Sequence, residues 1–133
     1  MLTCLAMALA GVVALADIPD LAVEVETEAR ALTAETTISS TMLADLAEFS
    51  ADAMALSDSL RDAGVTQDLP CIFRGISEDA AERVAEFQAA DTAAEREIAF
   101  AGLRVLLDDA ILLAPMASAA AADLAAERAV AQR

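Results

Sequence analysis

Few residues in this chain can do chemistry, and the stretch that stands out is DLPCIFRGIS, residues 68 to 77. It places Cys71 and Arg74 among a proline, a phenylalanine and a glycine, in surroundings that are mostly alanine, leucine, aspartate and glutamate. The chain has no histidine, lysine, tyrosine or tryptophan. That removes Ser-His-Asp and Cys-His catalysis, histidine metal sites, Schiff-base lysines and the lysine of phosphate loops. Carboxylates and thiols are what remain. No catalytic residue, cofactor or metal site is assigned from such a set, and the chain reads as a non-enzyme.

Cys71 has three readings. It is a small hydrophobe buried beside Ile72 and Phe73, or it forms a disulfide with a partner, including a symmetric Cys71–Cys71 dimer. The third is a reactive thiolate assisted by Arg74 and by a helix N-terminus near Ser77, which would make the chain a redox protein. The second candidate cluster is Arg104, Asp108 and Asp109, inside the apolar run IAFAGLRVLLDDAILL at 98 to 113. Adjacent residues on a helix do not face each other, so Asp108-Asp109 is no acid/base dyad. One of the two is expected to face inward and pair with Arg104 or with Arg74 from another helix, because an unpaired buried carboxylate is too costly to keep ionised. A di-metal carboxylate bundle would add histidines that are missing here. Surface acids can hold divalent ions loosely, but no D-x-D-x-D-G pattern marks a calcium loop.

These residues must be positioned by helices. The chain has 133 residues, 58% of them apolar and only 3% aromatic, with four glycines and three prolines, a composition that favours helix over strand. Net charge is −15, with 23 acids against eight arginines. Such a charge repels nucleic acid and anionic membrane surfaces.

MLTCLAMALAGVVALA, residues 1 to 16, has the apolar length of a signal-peptide core and ends in the small-x-small triplet Ala14-Leu15-Ala16. It lacks a basic n-region. Export and cleavage after Ala16 are expected, leaving 17 to 133 as one domain that is periplasmic or secreted in a bacterium. Cleavage would remove Cys4 and leave Cys71 as the single thiol.

In the remainder, Pro19 fits the first turn of a helix starting near Asp17, and Glu26 leads Arg30 at the spacing of an ion pair. Thr33 to Thr41, TAETTISST, is either a kink or a turn with Ser39 or Ser40 as the next cap. Met42, Leu46, Phe49, Ala53, Leu56 and Leu60 alternate by four and three and mark a buried seam, closed by Gly64 as a C-cap. Residues 64 to 77 are expected to form a loop in which Pro70 prevents helix and Gly75 turns the chain before a Ser77 cap. A second arm follows from 78 to 113, with a surface pair of Asp79 and Arg83; a break near Asp91 at a Thr92–Glu95 capping box is the alternative. Pro115 is expected to end this arm before a short helix from 116 to 131. Arg104, Asp108 and Asp109 argue against 98–113 as a membrane span.

The fold expected is all-α: an antiparallel bundle of two long helices, each whole or broken in two, plus a shorter C-terminal helix. Its role is expected to be binding or structural, with a protein partner or a second copy. The alternative is a carrier or sensor of an apolar small molecule between the helices.

Overall fold

The computed structural model describes residues 12–133, so the expectations that fall on residues 1–11, Cys4 included, lie outside the described residues. The described chain is all-α, with four helices: α1 (Val12–Thr33), α2 (Ser40–Ala63), α3 (Leu69–Ala89) and α4 (Ala93–Ala131). Helix α1 packs most extensively on α4 and α2 most extensively on α3; α1 also packs on α2, and α3 and α4 share a smaller seam. Both expected arms are broken, giving four helices, and the expected shorter C-terminal helix is not a separate element.

Helix α1 turns Ile18, Ala22, Val25, Ala29 and Leu32 into the core, a four-three alternation of buried positions. The Glu26–Arg30 pair forms as the spacing predicts, at 2.8 Å. The hydroxyl-rich stretch resolves as a turn: Thr33 donates its hydroxyl to the Ala29 carbonyl, and Ser39 accepts from the Met42 amide at 3.0 Å to cap α2. Hydroxyl side chains satisfy the backbone groups a helix end exposes, which is why the break falls there. The six seam residues of α2 are all buried to 1% exposure or less. Gly64, at φ 85°, closes the helix, with its own amide bonded to the Arg61 carbonyl and the Val65 amide to the Leu60 carbonyl. Only glycine adopts that conformation cheaply.

DLPCIFRGIS is helix. Pro70 lies in the first turn of α3, where a missing N–H costs nothing, so it starts the helix instead of preventing it. The connection shrinks to residues 64–68. Gly75 lies inside the helix, and Ser77 is a buried interior residue, 4% exposed, with no cap to form. Its partner is on α2. Ser77 donates to the Ser50 carbonyl at 2.6 Å and Ser50 donates to the Ser77 carbonyl at 2.8 Å. One step of seven residues away on both helices, Ser57 donates to the Pro70 carbonyl at 2.6 Å. Matching positions that rise on α2 and fall on α3 require the two helices to be antiparallel.

The break at 90–92 is the capping-box alternative. The Glu95 amide donates to Thr92 Oγ1 at 3.1 Å, while Glu95 Oε2 accepts from the amides of Thr92 and Asp91. Helix α4 then runs 39 residues and passes through Pro115, so no separate C-terminal helix exists. Pro115 leaves the Ile111 carbonyl without its helical donor, a local cost of about 3 kcal/mol. Burial of Ala110, Ala114, Ala117 and Ala121 on either side offsets it. The far end is held by Arg128, whose guanidinium donates to the Ala63 carbonyl at the end of α2. The Asp79–Arg83 pair does not form; Arg83 bonds Glu86 at 2.9 Å instead.

Two stability predictions follow from α3. An added Cβ at Gly75 meets nothing within 4 Å, so Gly75→Ala should raise stability by about 0.5–1 kcal/mol in denaturant melts through helix propensity. A loss instead would contradict its placement inside a helix. Ser77→Ala should cost about 1 kcal/mol, and adding Ser50→Ala should cost less than the two single effects together, since the two hydroxyls share one contact.

Candidate functional site

The residues singled out in sequence are not brought together. Cys71 is exposed in the first turn of α3 and is disulfide-bonded, so neither the buried thiol nor the free thiolate describes it here. Arg74 is 55% exposed and bonds Glu78 four residues on at 3.0 Å. Arg104, Asp108 and Asp109 are all exposed, and the expected inward ion pair does not form among the described residues. The reason is helical phase. Leu103, Leu106, Leu107 and Ala110 hold the inward face of α4, and the charges between them are left outside. Keeping the carboxylates in water removes the desolvation that pairing was expected to repay. The same phase exposes Ile98, Val105, Leu112 and Met116 on the outer side of α4.

Carboxylates gather elsewhere, between α1 and α2. Glu24, Glu28 and Asp52 bring one oxygen each to within 4.8 Å of the others. Beside them a cavity of about 130 Å³ is lined by Glu28, Ala31, Leu32, Glu35, Asp45 and Glu48. Burial is the largest influence on Glu28 and, with a hydrogen bond to Asp52 and the charges of Asp52, Glu24 and Glu48, pushes its pKa up to about 8. As a carboxylate, Glu28 has a buried Oε2 without a donor. As an acid it becomes the donor, and Asp52 the acceptor. Three carboxylates at this spacing would also suit a divalent cation, but proton sharing accounts for the geometry without one. The sequence carried a signal for this cluster: Glu24–Glu28 and Glu48–Asp52 are both like-charge pairs at i, i+4, which a helix tolerates badly unless a proton or a cation relieves them.

A second concavity lies at the bundle end where the 34–39 turn meets the start of α4. It is an open groove of about 610 Å³, lined by Thr36, Thr37 and Ile38 on one side and by Ala93, Arg96, Glu97, Phe100, Ala101 and Arg104 on α4. Ala93, Glu97, Phe100 and Arg104 follow a four-three-four spacing, which puts them on one helical face. Ile38 and Phe100 are partly buried against the core and form the apolar floor. Phe100 is steadied by an edge-on contact with Phe87, ring centres 5.1 Å apart. Arg96 reaches only the Ala90 carbonyl, at 3.4 Å. Neither Arg96 nor Arg104 is ion-paired among the described residues, whereas Arg30, Arg61, Arg74 and Arg83 all are. Arg104, expected to neutralise an inward aspartate, thus lines a groove instead.

The Glu28 proton has a measurable consequence. Its folded pKa of about 8 lies above the ordinary glutamate value of 4.5, so the native state holds the extra proton across that window. Stability contributed by Glu28 therefore falls as pH rises from about 4.5 toward 8 and then levels. Glu28→Gln should raise the melting temperature by about 3 °C at pH 8.5 and change it little at pH 4.5; equal effects at both pH values would reject the proton-sharing geometry. No protein family model, curated protein or solved structure matches this chain.

Proposed function

We propose that the protein is an exported, acidic helical bundle with a non-enzymatic binding role. The observation that carries this reading is the 610 Å³ groove. Its volume falls in the range of small-molecule sites, and its few polar groups converge on an apolar floor. The side chains around it include no nucleophile set beside a base, so binding is the activity its chemistry supports. This favours the carrier reading over a purely structural one, with the ligand at the end of the bundle and not between its helices.

Export rests on residues 1–16, whose apolar length and small-x-small ending suit a signal peptide. Cleavage there would leave Pro19 in the first helical turn, a position that suits it, where the uncut helix leaves it interior. Helix α4 is long and apolar enough to cross a membrane; we assign it to the bundle, because Ala99 to Ala121 bury one face against the other helices and Arg104, Asp108 and Asp109 interrupt the other.

Protein recovered from the periplasm of a bacterial host should begin at Asp17 by intact mass and carry a bound small molecule in native mass spectrometry. A full-length, ligand-free product would reject export and binding together.

A further inference from the structure

The groove and its charge point to one class of ligand. In a chain of net charge −15, it is lined by two arginines and one acid, a local reversal of sign. Arg96 and Arg104 lie eight residues apart on α4, two helical turns or about 12 Å between backbones, with Phe100 midway. Guanidinium groups reaching toward each other from those positions would stand over the Phe100–Ile38 floor. Each has five donors and no carboxylate in reach, so each keeps its capacity for an incoming anion. Threonine hydroxyls of Thr36 and Thr37 complete the polar rim across the groove.

We infer that the groove binds a free single-chain amphiphile with a carboxylate head, the head held by Arg96 and Arg104 and the chain laid over Ile38, Phe100, Ala93 and Ala101. This rests on the binding reading above and adds the chemistry of the ligand. A neutral apolar ligand would leave both arginines unused. A cationic head would meet them with like charge. An anionic bilayer surface is disfavoured by the acids that cover the rest of the molecule, and a single chain suits the volume of the groove better than a two-chain lipid. Glu97, on the same face, limits the groove to a net single positive charge and so favours a monoanion over a polyanion.

Calorimetric titration of the full chain with dodecanoate, below its micelle concentration, tests this against dodecanol, which has the same chain and no charge. Dodecanoate should bind saturably and more tightly than dodecanol. The double variant Arg96→Gln, Arg104→Gln should weaken dodecanoate about tenfold, leave dodecanol unchanged, and melt at the wild-type temperature because both side chains are exposed. Equal affinity for the two probes, or no change in the variant, would overturn the carboxylate assignment while leaving the groove a binding surface. No saturable binding of either probe would overturn the assignment and the binding role with it. Tight binding to phosphatidylglycerol vesicles that the double variant abolishes would assign the arginines to a membrane and overturn the free-ligand proposal.

Discussion

The rest of the bundle depends on the close approach of α2 to α3, and that approach is set by three serines. Ser50 and Ser77 exchange hydrogen bonds with each other's carbonyls, and Ser57 reaches the Pro70 carbonyl one heptad away. Small side chains let the backbones come near, and the hydroxyls give that nearness a single register. A slip of one turn would leave Ser57 and Ser77, both nearly fully buried, without partners, at a cost of about 1–3 kcal/mol each. Apolar packing alone is more forgiving, because leucines fill a neighbouring hole almost as well. With α2 and α3 in register, Phe49 and Phe73 are both completely buried in one core, and the link between the helices can be as short as residues 64–68.

The pairing of α1 with α4 uses alanine more heavily. Ala22 and Ala29 on α1 and Ala110, Ala114, Ala117 and Ala121 on α4 are buried to a few per cent exposure or less. Each contributes little area, so the interface gains from the length over which two helices stay close and not from large side chains. This explains how α4 continues past Pro115. The proline removes one backbone hydrogen bond, whereas stopping the helix there would forfeit the packing of Ala117 and Ala121 and the Arg128 contact with the end of α2.

Charge is spread unevenly on this frame. Burial in the seam between α1 and α2, with further acids beside it, makes Glu28 retain a proton near neutral pH, while α4 opens with two arginines that are unpaired among the described residues, beside an apolar floor. A chain with this excess of acids could pair every arginine many times over. That Arg96 and Arg104 stay unpaired reflects helix geometry: both lie on a face whose one acid, Glu97, lies outside ion-pair range of each.

The helical class, the α2 seam, the Ser39 and Gly64 caps, the Glu26–Arg30 pair and the Thr92 capping box were legible in the sequence, because each depends on residues within a few positions of one another. A helix end, an ion pair at i, i+4 and a buried stripe are local facts of backbone geometry. What was not legible depended on phase and on distant partners. Whether Asp108 or Leu107 faces inward is a matter of about 100° of helix rotation, and only the packing of Leu103, Leu107 and Ala110 against other helices decides it. Pro70 and Ser77 carry the same local signals for a loop as for a helix start and a buried contact. Their role was decided by Ser57 and Ser50, 13 and 27 residues away. Groove and carboxylate cluster alike join segments that are remote in sequence, Thr36 with Arg96 and Glu28 with Asp52, so residue types determined what chemistry was available and the tertiary contacts determined where it could meet.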